Sequence, residues 1–207
     1  MRDKILNYIR SGHSGLYIVS PEESRVEAEL KAVADQLEYG LYAWSITDGL
    51  INTDDGSVRQ AQDPMEVLDV VSELPDSTII LLRDFHAFLE DPNPVVVRAF
   101  KDALVRGKAH GCCLVIVGCR LVLPAELERE MALIHFKPPT KDQLGTVLDG
   151  IFESAKLTGI QGDIRDAVLD AARGMTTGEA ENAFALSVVE SGEVLPLVVA
   201  REKAAAL

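Results

Sequence analysis

Nowhere in its 207 residues does the chain carry G-x-x-x-x-G-K-[ST], the glycine-rich loop whose backbone N–H groups cradle nucleotide phosphates. Basic residues are also scarce. Twenty Lys and Arg stand against 33 Asp and Glu, a formal net charge of −13. Binding along a nucleic-acid backbone rests on clustered Lys and Arg, so that balance argues against it. Only three cysteines occur, Cys112, Cys113 and Cys119. Their count is odd, two are adjacent and none has metal-ligand spacing, which points to reduced thiols in the cytoplasm. His13, His110 and His135 are scattered without HExxH or paired-ligand spacing, so no metal is expected. No segment approaches the roughly 18 uninterrupted apolar residues of a membrane span. Residues 1–10 mix charges with Ile5, Leu6, Tyr8 and Ile9 at helical spacing and lack an export signal's apolar stretch.

What is present is apolar material enough for a real core, 47% of the chain. Five β-rich runs alternate with helical patterns: 15–20, 41–46, 78–82, 113–118 and 133–136. Helix candidates lie between them at 21–39, 64–73 and 94–106, each with a proline at its start, where the missing N–H costs nothing. Such alternation predicts an α/β fold with a parallel sheet covered on both faces. After Lys137-Pro138-Pro139 no β-like run follows. Helices are expected at 141–157, 163–173, 177–191 and 194–207, with Thr140, Asp163 and Thr177 as N-caps. The expected division is therefore an α/β domain over 1–138 and an all-helical one over 139–207.

The first run ends at Ser20-Pro21-Glu22-Glu23, where a phosphate-binding protein would insert its anion cradle. Ser20 at the N-cap with Glu23 three residues later reads as a capping box, which would consume the donors a phosphate needs. Glu22 and Glu23 add negative charge at the helix's positive end. The run Thr78–Leu82 leads into Arg83, Asp84 and His86. A magnesium-holding carboxylate usually follows such a strand, and here Arg83 stands beside the single Asp84.

Several stretches resemble the AAA+ ATPases, and more specifically the N-terminal, degenerate module of a two-module AAA family found in cyanobacteria and plastids. They are Leu16-Tyr17-Ile18-Val19-Ser20-Pro21-Glu22-Glu23-Ser24-Arg25-Val26, Ala43-Trp44-Ser45-Ile46-Thr47-Asp48-Gly49-Leu50, Leu81-Leu82-Arg83-Asp84-Phe85-His86-Ala87-Phe88-Leu89, Leu121–Glu128 and Gly174–Ala183. The resemblance implies five parallel strands in the order 5-1-4-3-2 with a C-terminal helical lid. It implies that Ser20, Pro21, Glu22 and Glu23 stand at the phosphate-loop position, and that Arg83, Asp84 and His86 occupy a degenerate Walker B position. Cys119 and Arg120 then fall at the sensor position, and Arg129 where an arginine finger would lie. Beside these stand plainer alternatives: an Arg120–Asp84 ion pair, pairing of Arg129 with Glu128 or Glu130 on a helix, and core packing for Tyr42, Trp44 and Ile46. A Cys-His-Asp hydrolase built on Cys119 lacks an activating motif.

The resulting expectation is a catalytically degenerate AAA+ module that regulates or assembles an ATPase or a partner complex. It needs no cofactor of its own, with ATP and magnesium belonging to a second module if one is present. The partner is expected to be a protein, either that second module or another copy, with neither nucleic acid nor membrane involved. The chain is expected to be either an excised fragment or a stand-alone protein that has lost a catalytic half. Two rivals remain at this point: an atypical AAA protein that binds or hydrolyses ATP, and a clamp-loader-like subunit.

Overall fold

A computed structural model describes residues 1–91 and 93–206; the final residue of the expected last helix, Leu207, lies outside them. Two compact units are present, Met1–Phe136 and Lys137–Leu207. No described helix is long and apolar enough to cross a membrane.

The first unit holds α1 (Arg2–Arg10), β1 (Gly15–Val19), α2 (Glu23–Leu37), β2 (Gly40–Ser45), β3 (Gly49–Asn52), β4 (Val58–Arg59), α3 (Pro64–Val70), β5 (Thr78–Arg83), a 3-10 turn (Phe85–Phe88), α4 (Pro94–His110), β6 (Cys113–Gly118) and β7 (Ala132–His135). They build one α/β sheet in the order β4-β3-β2-β5-β6-β1-β7. Its neighbours from β2 through β7 pair in parallel, whereas β3 and β4 join antiparallel. The sheet thus has seven strands and is mixed, not five and all parallel as expected. The turn that leads from β2 into β3 ends at Gly49, whose φ of 75° suits glycine, and where a Cβ would lie 2.8 Å from the Arg59 carbonyl.

Alternation along the strands explains the two covered faces, since successive side chains point to opposite sides. Ile80, Leu82, Leu114 and Ile116 join Tyr17, Trp44, Phe85 and Phe100 on the face covered by α3 and α4. Ile79, Leu81, Val115 and Val117 join Leu16, Ile18, Val26 and Leu30 on the face covered by α1 and α2. Trp44 is fully buried, and its indole N–H donates to the Ala61 carbonyl. Tyr42 packs at the edge of the same cluster, while Ile46 lies beyond the strand and is exposed.

The second unit comprises α5 (Lys141–Ala155), α6 (Gly162–Ala172), α7 (Thr177–Ser191) and α8 (Pro196–Ala206) around Leu144, Leu148, Phe152, Val168, Phe184 and Val199. Thr140 caps α5 in a full capping box, as expected. The other two caps fall elsewhere. Gln161 precedes α6 without a side-chain cap, and Thr176, one residue before the expected Thr177, forms the capping box with Glu179.

Candidate functional site

The C-terminal ends of β1, β5 and β6 meet at one edge of the sheet. Two backbone bonds fix that meeting: Ser20 N–H donates to Gly118 O at 2.9 Å, and Asp84 N–H donates to Val117 O at 3.0 Å. Tyr17 adds a third tie, because its buried hydroxyl donates to Arg120 O at 2.7 Å and accepts from Val122 N–H at 3.2 Å. Burial chiefly raises this phenol's titration, so it stays protonated and able to donate. Of the residues singled out in the sequence, Ser20, Glu23, Asp84, His86, Cys119 and Arg120 come together here. Arg129 sits exposed in a turn segment and makes no ion pair among the described residues. No helix forms there, so the expected helical pairing with Glu128 or Glu130 is absent.

The junction after β1 differs from the expected capping box. Helix α2 starts at Glu23 with Glu22 as its N-cap, and no side-chain cap bond forms. The physical reason lies in Ser20, whose own N–H is committed to Gly118 and is therefore unavailable to the Glu23 side chain. Ser20 Oγ instead accepts from the Glu22 N–H at 3.0 Å, closing a tight turn around Pro21. Glu22 pairs with Arg25, whose guanidinium also lies 4.8 Å from the Phe136 ring centroid.

At the end of β5, Arg83 turns away from its neighbour and pairs with Glu27 on α2. Asp84 adopts a left-handed conformation, φ 53°, and starts the 3-10 turn. Its carboxylate lies 3.6 Å from His86 Nδ1, and its charge acts on the Glu23 carboxyl at the head of α2. Desolvation first, and Asp84 second, raise the Glu23 titration above the ordinary carboxylate value. The expected Arg120–Asp84 pair does not form, because Arg120 reaches Glu90 on the far side of the 3-10 turn.

His86 is buried, and its Nδ1 has no hydrogen-bond partner. Its ring lies against Gly118, where a Cβ would fall 2.5 Å from Nδ1. Glycine is thus required at the end of β6 by a close approach. Cys119 is exposed, and Cys113 is fully buried with its thiol pushed far up by desolvation. No group of three or more His, Cys, Asp or Glu among the described residues is placed to hold a metal ion. Tyr17, Glu27, Glu90 and Gly118 were not singled out in the sequence, since their roles arise from contacts between distant segments.

This topology, with the candidate residues gathered where β1, β5 and β6 end, defines an AAA+ type of α/β module. The chain belongs to the SpoVK-like AAA ATPase family: residues 1–136 match its N-terminal domain and residues 142–207 its second domain. It is 25% identical over 159 residues to the uncharacterized AAA domain-containing protein ycf46 of Trieres chinensis, covering 75% of this chain and 32% of that protein. The ycf46 protein of Guillardia theta is 27% identical over 142 residues, covering 67% of this chain and 28% of that one. The matched region therefore spans about a third or less of those relatives' length. Among solved structures, the FIGL-1 AAA domain in complex with ADP superposes with a TM-score of 0.62 at 12% identity, over 99% of this chain and 75% of that one. Trip13 in the E. coli MS115-1 HORMA:CdnC:Trip13 complex gives 0.57 at 15% identity, over 92% of this chain and 73% of that one. Both likenesses are of fold.

Proposed function

We propose that this chain is a catalytically degenerate AAA+ module which regulates or assembles an ATPase or partner complex through protein contacts. One observation carries the proposal: the head of α2 is furnished against phosphate. Helix N-termini hold anions through free N–H groups and a positive dipole end. Just ahead of the helix, where a phosphate loop would add donors, Ser20 N–H is given to Gly118, Pro21 has none, and Glu22 N–H is given to Ser20 Oγ. Glu22, Glu23 and Asp84 place carboxylates where a triphosphate would bring its own charge. Phosphoryl transfer rests on cations that neutralise developing charge. The basic groups near this edge, Arg25, Arg83 and Arg120, are turned to Glu22, Glu27 and Glu90. The residues present do not fit a magnesium nucleotide, and no step of hydrolysis is assigned to them.

A protein partner follows from the same features. With a net charge of −13 and no cradle for phosphate, what is left for an AAA+ frame is surface. The structural neighbour Trip13 occurs in a complex with other proteins, which supports such a role for the frame. The lid role of α5–α8, the arginine-finger position of Arg129 and self-association belong to this same proposal. Isothermal titration with ATP and Mg²⁺ tests it, and an absence of saturable heat is the expected outcome.

A further inference from the structure

The parallel strands have a second edge, where they begin. Beside the starts of β2 and β6 and the ends of α1 and α4 lies a cavity of about 130 Å³. Arg10, His13, Tyr39, Lys108 and Cys112 help to line it, and no Asp or Glu does. In a chain of net charge −13 that composition runs against the average. Neither Arg10 nor Lys108 forms an ion pair among the described residues. Asp76, whose charge reaches the Cys112 thiol, is itself bonded to His110 Nδ1 at 2.9 Å. We propose that this cavity is a binding site for a small oxyanion of phosphate size, held by Arg10, His13 and Lys108.

Basic side chains near a helix C-terminus commonly bond its last carbonyls, and Arg10 and Lys108 stand in the last turns of α1 and α4. Here the backbone makes those bonds. On α1, Asn7 O accepts from Ser11 N–H at 3.0 Å, Tyr8 O from His13 N–H at 3.1 Å and Ile9 O from Gly12 N–H at 3.0 Å. On α4, Gly107 O accepts from Cys112 N–H at 2.7 Å and His110 O from Ser77 N–H at 3.0 Å. The two cationic heads are left for a ligand. His13 is set in place by Ser11 Oγ, 2.9 Å from its Nδ1, and by the Tyr8 ring at a centroid distance of 4.9 Å, which leaves Nε2 as its available nitrogen. A guanidinium fork matches an oxyanion's paired oxygens. The volume equals about four waters at roughly 30 Å³ each, well below the ~300–1,000 Å³ of pockets for larger ligands, and suits one central atom with four oxygens. A magnesium-bound triphosphate is too large for it and would set a dication against Arg10 and Lys108. The site therefore stands apart from the edge where β1, β5 and β6 end, and neither depends on the other.

Amide NMR of the whole chain, titrated with inorganic phosphate against chloride at constant ionic strength, tests the site. The signals of Gly12, His13 and Gly111, which border the cavity, are expected to move along one saturable curve. Arg10→Gln and Lys108→Gln, both at exposed positions, should each weaken the fitted affinity about three- to tenfold, between a screened surface contact and a charge-assisted bond. A parallel titration with glycerol 3-phosphate separates the two sources of such an anion: saturation by the ester as well assigns the site to the phosphate end of a small molecule, and saturation by phosphate alone assigns it to the free ion. Absent shifts, shifts that grow without saturating, or affinities unchanged in both variants would overturn the site. Saturable shifts confined to Glu22, Glu23 and Asp84 would overturn it too, and would count separately against the degeneracy proposed for the opposite edge.

Discussion

The Arg83 guanidinium pairs with Glu27 on α2, whereas the carboxylate of its chain neighbour Asp84 lies 3.6 Å from His86 Nδ1. The Arg83–Glu27 pair thus ties the end of β5 to the start of α2. Both partners of the Arg83–Glu27 pair are about three-quarters buried, so the pair is screened less than a surface one.

Replacing Arg83 by Asp should therefore cost stability without creating turnover. The change removes the guanidinium and adds a fourth carboxylate to Asp84, Glu27 and Glu23. A loss of about 1–3 kcal/mol is expected from denaturant melts, within the usual span for a disruptive substitution. A phosphate-release assay on the variant should stay at the wild-type background, since restoring one acid supplies no phosphate cradle.

Gly118→Ala should be among the more damaging small substitutions in the chain. Its Cβ would meet His86 Nδ1 at 2.5 Å, inside a ring buried among Phe85 and its neighbours. Overpacking of this kind costs about 1–3 kcal/mol. The double variant Gly118→Ala, His86→Ala should recover part of that loss, and a double-mutant cycle measures the coupling. Additive losses would mean that His86 is not the obstacle.

Trp44, the chain's one tryptophan, should report global unfolding by fluorescence, because it is fully buried against Phe85 and Phe88 at centroid distances of 5.7 and 6.2 Å. Trp44→Phe keeps most of that packing and orphans the Ala61 carbonyl, so a loss of about 1–3 kcal/mol is expected by chemical denaturation followed by circular dichroism.

The thiols should divide cleanly. Burial pushes Cys112 and Cys113 up, whereas Cys119 is exposed. Because the thiolate is the reacting species, a disulfide reagent should label Cys119 at once in the native protein and the other two only on unfolding. Rapid labelling of Cys113 would contradict its place on β6.

Much of this architecture was legible because aliphatic runs announce themselves. The stretches that became β5 and β6 hold unbroken runs of Leu, Ile and Val, and β1 has the same character with Tyr17 at its centre, as strands buried on both faces do. The β3–β4 hairpin was not legible: Val58–Arg59 is two exposed residues, too short and too polar to show a period. At the site, Ser20 and Glu23 matched a local capping pattern, and a long-range bond from Ser20 to Gly118 overrode it. Asp84 follows β5, where the strand pattern put it, but Arg83's partner Glu27 lies on a helix far earlier in the chain. No local pattern encodes such pairings; only the parallel sheet brings them together.

The most direct measurement of the central claim is calorimetric titration of the purified chain with ATP and Mg²⁺ at neutral pH. Clustered carboxylates and arginines already paired to acids at this edge predict heats indistinguishable from dilution up to millimolar nucleotide. A saturable, stoichiometric isotherm within about 1 μM–1 mM, the range in which enzymes hold their substrates, would contradict it.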